Sequence, residues 1–363
     1  MRKKVLLLSH EMTYTGAPNS LLNMARLLRS KGWSVTVRTL VNGNFSREYL
    51  RHGFRVRWFN EELSAEECRE LSAKYDLVIC NTVFCAKVAC RLQEHIRTIL
   101  FIREAENLPE ILEKSHIDEG YIRNAENVVC VSEYAERFIA KTYSPKRLWV
   151  LHNFLMTSPF YRPSANKVRR GKVHFLIAAT IERRKGIDIA VKAVKSLPKE
   201  ISSQLVLDIA GRKPGWSRKF WEKLIPKNDN RFVYHGEVTR GKNRLFKRAN
   251  VILVPSFDES CSLTALEGGM FGKPLIVTEN VGAKYMTDGS GFVVKTGSAE
   301  ELAQAIKFFV LHKDELDTAG KICFKRFRRT STKRVYYAEF TDIVSEVLGE
   351  RDSGFGYRAD LQC

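Results

Sequence analysis

Several features that would settle a protein's class at once are missing from this chain. None of its eight cysteines stands in a Cys-x-x-Cys pair, so neither a zinc site nor a redox dithiol is indicated. Cys80, Cys130 and Cys261 lie in or beside apolar runs, where a free thiol acts as a small hydrophobe. Such cysteine usage points to a reducing compartment, the cytoplasm. No apolar run is long enough to span a bilayer. The run after Met1-Arg-Lys-Lys4 is too short for the apolar region of a signal peptide. No Gly-x-Gly-x-x-Gly follows the first apolar segment, where Gly16 stands alone; this argues against a dinucleotide oxidoreductase. No Asp-x-Asp pair offers a divalent-cation motif, and no tract is of low complexity. Acidic residues are comparatively scarce: 41 Asp and Glu against 60 Lys and Arg leave a net charge of +19. That balance favours anionic partners, namely nucleic acid, anionic lipid or a phosphorylated substrate. Aromatics are not interleaved with the basic clusters as in a nucleic-acid module, apart from 324–329.

What is present is an alternation of strand and helix signals that occurs twice. The 363 residues suffice for two or three domains, and 44% hydrophobic content is that of a globular protein. Apolar runs over 4–9, 76–80, 98–102, 127–131 and 148–151, and alternating segments over 33–39 and 54–58, read as strands. Helical stretches separate most of them. The clearest covers 19–31, with Leu21, Leu22, Met24, Ala25, Leu27 and Leu28 on one face and Gly32 as a stop. A segment over 156–171 with Pro159 and Pro163 then breaks the pattern and reads as a linker. The alternation restarts with strands over 173–178, 205–210, 231–234, 251–254, 275–277 and 292–294. Helices are expected over 187–196, 217–224, 263–271 and 299–311. The fold class is therefore α/β, as two tandem doubly wound Rossmann-like domains over 1–155 and 172–334. A last helix over 335–350 is expected to pack back on the first domain, and 354–363 to be a loose tail.

Two glutamates with seven residues between them carry the most information. In the run from Pro255 to Pro274, an apolar strand enters a polar turn with Glu259, and the turn enters a helix with Glu267. Such a turn aims backbone N–H groups and the positive end of a helix at a ligand. In an open α/β sheet the ligand lies at the carboxyl ends of the strands. Two carboxylates that accept from hydroxyl-rich groups, with phosphate-binding amides between them, suit a nucleotide sugar. Thr264 and Glu267 equally fit a capping box, in which Glu267 only closes the helix start. The turn over 179–186 adds three consecutive cations, Arg183, Arg184 and Lys185, before a helix. It is either an anion trap or a solvated basic turn. The strand over 205–210 ends at Gly211, where backbone comes close to something.

In order and spacing, these segments resemble the second domain of retaining glycosyltransferases of family 4, which have the two-domain GT-B fold. The match comprises a basic turn ending in Lys185-Gly186, a strand ending in Gly211 and the Glu259–Glu267 segment, followed by Gly272-Lys-Pro274 and Asn280-Val-Gly-Ala283. In the first domain, Tyr14-Thr-Gly-Ala-Pro-Asn-Ser20 resembles the family's glycine-containing acceptor loop. Ser132-Glu133 and Leu151-His-Asn153 are similar to its later strand ends.

The resemblance implies roles. Lys185, with Arg184 beside it and Arg183 near, would contact a donor diphosphate. Glu259 would accept from the donor sugar, and the amides of Ser260, Cys261, Ser262, Leu263 and Thr264 would hold sugar and phosphate. Glu267 would bind the ribose. Gly16 would let backbone approach the phosphate from the opposite domain, and Gly211 would belong to the donor site. Catalysis would rest on Glu259, Lys185 and Arg184, with no metal and no cofactor. Four positions depart from the pattern. Ser260-Cys261-Ser262 replaces Gly-Phe-Gly, Thr180 stands where many members have Arg, and Ala17 follows Gly16 in place of a second glycine. Arg103-Glu104 stands where a strand often ends in His, and with Asn153 it is assigned to the acceptor side.

The resemblance implies transfer of a hexosyl group, with retention, from a nucleoside diphosphate sugar to a glycan or lipid-linked glycan. The setting would be bacterial surface polysaccharide: lipopolysaccharide, capsule or exopolysaccharide. Arg47, Arg51, Arg55 and Arg57 suit peripheral contact with the anionic inner face of the plasma membrane. No nucleic-acid partner is expected. The competing readings are a nucleotide-sugar epimerase on the same fold and a basic nucleic-acid-binding protein.

Overall fold

A computed structural model describes residues 2–168, 171–222, 224, 226, 228–238 and 241–350. The tail expected over 354–363 lies outside them, as do Arg169, Arg170 and Arg240. The chain forms the expected pair of doubly wound domains. The first holds β1 (Lys4–Ser9), β2 (Ser34–Thr39), β3 (Val56–Trp58), β4 (Leu77–Asn81), β5 (Thr98–Ile102), β6 (Val128–Cys130) and β7 (Leu148–Val150). Their order across the sheet is β3-β2-β1-β4-β5-β6-β7. The second holds β8 (Val173–Ala178), β9 (Leu205–Ala210), β10 (Phe232–Tyr234), β11 (Val251–Val254), β12 (Leu275–Thr278) and β13 (Phe292–Val294). Their order is β10-β9-β8-β11-β12-β13. Every strand pairing is parallel.

The strand sequences explain this. A parallel sheet covered on both faces needs continuous apolar runs, because successive side chains point to opposite faces. In β1, Leu6 and Leu8 enter one core while Val5 and Leu7 enter the other. In β11, Val251 and Leu253 enter one core of the second domain, and Ile252 and Val254 the other. The helix Gly16–Ser30 covers β1 with Leu21, Leu22, Met24, Ala25, Leu27 and Leu28, the face read from the sequence.

The helix Lys333–Leu348 leaves the second domain and places Tyr336, Phe340, Ile343, Val344 and Val347 in the same core as Leu7, Leu22 and Phe101. That spacing is one helical face. The chain crosses between the domains twice, side by side, where Leu155 N–H donates to the Ser331 carbonyl at 3.1 Å. Residues 156–168 contain no helix or longer strand, yet they are not slack. The buried Asn166 donates to the Asn250 carbonyl at 2.8 Å and the Leu316 carbonyl at 3.1 Å. Its Oδ1 accepts from Lys273 at 3.1 Å.

The helix expected over 217–224 is shorter than its pattern: a turn at Gly215–Ser217 and a helix at Arg218–Trp221. Ser217 Oγ donates to the Ile181 carbonyl at 2.7 Å and the Pro214 carbonyl at 3.1 Å, fixing that turn to the neighbouring loop. Among the described residues no helix is long and apolar enough to cross a membrane.

Candidate active site between the two sheets

The carboxyl ends of both sheets face one cleft, and a cavity of about 390 Å³ opens there. This is the place where ligands bind in open α/β sheets, and the volume is that of a small-molecule site.

The second-domain wall starts where β11 runs out at Pro255. Glu259 is fixed through its backbone: its N–H donates to the Asn280 carbonyl at 3.0 Å and its carbonyl accepts from Gly282 N–H at 2.8 Å. Its carboxylate accepts from Ser256 Oγ at 2.8 Å and pairs with Lys185 Nζ at 3.0 Å. Burial alone would raise the Glu259 carboxyl. The Lys185 ammonium, the Ser256 hydroxyl and the charge of Arg184 outweigh it and hold the carboxyl below its usual range.

The helix after this loop begins at Leu263, and its cap is Ser262, whose Oγ accepts from Ala265 N–H at 3.3 Å. Ser262 holds φ +88°, a conformation that favours glycine. Thr264 is not the cap; its hydroxyl donates to the Ala178 carbonyl at 2.7 Å and ties the helix to β8. The capping-box alternative for Thr264 and Glu267 is therefore removed. Glu267 instead pairs with Lys242, at 2.8 Å through Oε1 and 2.6 Å through Oε2. Burial pushes its carboxyl upward more strongly than Lys242 pulls it down. Glu267 stands beyond the residues that line the cavity, one helical turn behind Thr264. Ser260, Cys261, Ser262, Leu263 and Thr264 all line it. Burial pushes the Cys261 thiol up to about 11, so it stays protonated near neutrality.

The cationic turn Arg183–Lys185 packs directly on this loop. Gly186 closes it at φ +61°, and a Cβ there would fall 1.8 Å from the Pro255 carbonyl oxygen. Arg184 donates to the Asp258 carbonyl at 2.8 Å and to Glu182 at 2.9 Å. Arg184 and Lys185 line the cavity, whereas Arg183 is exposed and does not. Gly211 does not line it either. The close approach read from the sequence is to the chain itself, because a Cβ there would sit 1.7 Å from the Ala179 carbonyl oxygen.

On the first-domain wall, Gly16 opens the helix Gly16–Ser30, which has no acidic residue in its first turn. A Cβ on Gly16 would meet no atom within 4 Å; packing does not require glycine here, and the open space faces the cavity. Arg103 follows β5, with Nε donating to Asn81 Oδ1 at 2.5 Å and Nη1 to Asn153 Oδ1 at 2.9 Å. Glu104 accepts from Arg103 N–H at 2.8 Å and Val83 N–H at 3.4 Å. Burial raises its carboxyl to about 6 in spite of these bonds. Arg103, Glu104 and Asn153 all line the cavity.

The two walls touch. Ser132 Oγ donates to the Ser260 carbonyl, and Ser260 Oγ donates to the Arg103 carbonyl. Asp258 accepts from Tyr134 OH at 2.9 Å and from Asn107 N–H at 3.0 Å. A Cβ on Gly282 would strike the Ser260 carbonyl oxygen at 1.9 Å and Ser132 Oγ at 2.4 Å, so this approach needs glycine.

The sequence did not mark His10, Thr82, Ser256, Asp258 or Asn107 as part of the site, although all five line the cavity. Thr82 holds φ +81°, and its hydroxyl lies 3.0 Å from His10 Nδ1. The available signal was position: most of these residues follow a strand's carboxyl end.

Residues 1–101 match the family model described as glycosyl-transferase family 4, and residues 172–311 the one described as glycosyl transferases group 1. A D-inositol 3-phosphate glycosyltransferase of Arthrobacter sp. (strain FB24) is 30% identical over 159 residues, 41% of this chain and 38% of that protein. The chain thus spans less than half the length of that curated relative. The Anabaena protein HepE, solved in complex with UDP and glucose, shares the fold with a TM-score of 0.75 at 17% identity, over 95% of this chain and 100% of that one. WaaG, a glycosyltransferase involved in lipopolysaccharide biosynthesis, does so with a TM-score of 0.67 at 14% identity, over 93% and 99%. With both domains matched and the two sheets in GT-B arrangement, the chain belongs to the family 4 glycosyltransferases.

Proposed function

We propose that this protein moves a hexosyl group, with retention, from a nucleoside diphosphate sugar to a hydroxyl of a glycan or lipid-linked glycan in bacterial surface polysaccharide synthesis. The observation that carries the reading is the loop 255–264. It brings Glu259, Lys185, Arg184 and a helix start to one cavity wall. HepE was solved with UDP and glucose and WaaG acts in lipopolysaccharide biosynthesis; both fit a donor and a setting of this kind.

The costly step is the build-up of charge on the departing diphosphate. Lys185, Arg184 and the amides at the start of the helix Leu263–Met270 supply the opposing charge, with no cofactor and no metal in the reading. Glu259, held ionised, accepts from hydroxyls of the transferred sugar. Glu267 accepts from the ribose. The front-face course fits best: the leaving phosphate takes the acceptor proton, and no side chain forms a glycosyl bond. A covalent glycosyl adduct trapped on Glu259 would contradict it. Arg103, Glu104 and Asn153 face the acceptor. We place the enzyme in the cytoplasm, at the inner membrane face.

A thermal-shift panel of nucleotide sugars tests the donor assignment. A ligand at a hundred times its dissociation constant adds about 2.7 kcal/mol to the stability of the state that binds it. One nucleotide class should shift the wild type, and Glu267→Ala should remove that shift while the protein stays folded. No shift from any nucleotide sugar in folded wild type would end the reading.

A further inference from the structure

The first-domain wall carries a cation that forms no ion pair among the described residues, although the charge of Glu104 acts on it without a direct contact. The cations of the opposite wall are paired within the protein: Lys185 with Glu259 at 3.0 Å and Arg184 with Glu182 at 2.9 Å. Arg103 differs. It is half-buried, lines the cavity and is held by two neutral amides, those of Asn81 and Asn153. Asn81 is oriented for this, since its Nδ2 donates to the Ala17 carbonyl at 3.3 Å and leaves its Oδ1 to Arg103. The adjacent carboxylate of Glu104 turns to the backbone amides of Arg103 and Val83 and forms no ion pair with the guanidinium. Among the described residues, Nη2 of Arg103 donates no hydrogen bond. Taking a guanidinium out of water against neutral partners is unfavourable unless an anion completes the site, and a guanidinium is always charged near neutrality. The start of the helix Gly16–Ser30, with no acid in its first turn, adds positive potential on the same wall. Ser260 Oγ donates to the Arg103 carbonyl, which sets this cation beside the loop that carries Glu259.

We infer that Arg103 recognises an acidic substituent, a uronate carboxylate or a phosphate, on one of the two sugars that meet in the cavity. The inference rests on the donor site proposed above and names the charge class of the substrate. Arginine suits the task because its planar fork matches carboxylate and phosphate oxygens.

Calorimetric titrations of wild type, Arg103→Gln and Arg103→Lys test it. In the donor arm, UDP, UDP-glucose and UDP-glucuronate are compared. In the acceptor arm, glucose, glucuronate and glucose 6-phosphate are titrated onto the UDP complex. In one arm the acidic probe should bind wild type at least tenfold more tightly than its neutral counterpart. Arg103→Gln should abolish that preference with UDP affinity unchanged, and Arg103→Lys should keep part of it. The arm that responds tells whether donor or acceptor bears the charge. Equal affinities for acidic and neutral probes in both arms would overturn the inference. So would a tenfold loss of UDP affinity in Arg103→Gln, which would assign Arg103 to the diphosphate. If neither UDP nor GDP binds wild type, the donor site fails and this inference falls with it.

Discussion

Glu104 shows how a single side chain contributes to the pH behaviour of the cleft. Burial raises its carboxyl to about 6, and the amides of Arg103 and Val83 only partly offset this. A carboxyl raised in the folded state binds its proton more tightly there than in the unfolded chain. Stability therefore falls as pH rises from the unfolded value of 4.5 to about 6, and the penalty is complete above that. The size is about 2 kcal/mol at most, by the usual conversion of a pKa difference. Glu104→Gln should remove this slope. Denaturant unfolding at pH 4.5 and pH 7 checks it, and an unchanged difference between the two pH values would refute the assignment. The charged residues of the site were legible for a simple reason. Glu259 and Lys185 are ionisable groups placed in turns that follow strands, and that position alone suggests a ligand. The strain at Ser262 was not legible, because nothing in a serine announces φ +88°. The partner of Glu267 was hidden too: Lys242 is distant in sequence and meets it only in the fold.

At the scale of elements, the central strands were legible as apolar runs because they are buried on both faces, and the half-exposed β2 and β3 as alternating segments. Gly211 was legible as a point of close approach, but its neighbour was not. That neighbour is Ala179, the residue just after β8. Gly211→Ala should therefore act on stability, as overpacking between β8 and β9, with a cost of about 1–3 kcal/mol. The unfolding midpoint reads this directly. A midpoint equal to wild type, with weakened nucleotide binding, would show instead that Gly211 faces the ligand. The basic cluster 324–329 illustrates an opposite error. Read as a charge patch, it concealed the helix Glu315–Thr330, in which Leu316, Ala319, Gly320, Cys323 and Phe327 are buried. Gly320 lies against the Gly272 carbonyl oxygen, where a Cβ would sit 2.1 Å away. The glycine belongs to that close packing, although its composition signal is that of a helix breaker.

For the molecule as a whole, the net charge of +19 meets apolar exposure on the first domain. Leu50 and Trp58 are 63% and 60% exposed, close in sequence to the exposed Arg47, Arg51, Arg55 and Arg57. Aromatic and basic residues together suit the headgroup region of an anionic bilayer. At low salt, the protein should float with vesicles containing anionic lipid and not with neutral ones, and replacing Leu50 and Trp58 by Ser should reduce flotation severalfold. Equal flotation with both vesicle types would remove membrane contact from the proposal. The helix Lys333–Leu348 bears on a different matter, the order in which the molecule is built. Leu7, Leu22 and Phe101 emerge early in synthesis, while Tyr336, Phe340 and Val344, which finish their core, emerge after the whole second domain. Domains generally fold as units during synthesis, the amino-terminal one first. Here the half that is begun first is sealed last, so its apolar face waits uncovered on the nascent chain until residue 348 has been added.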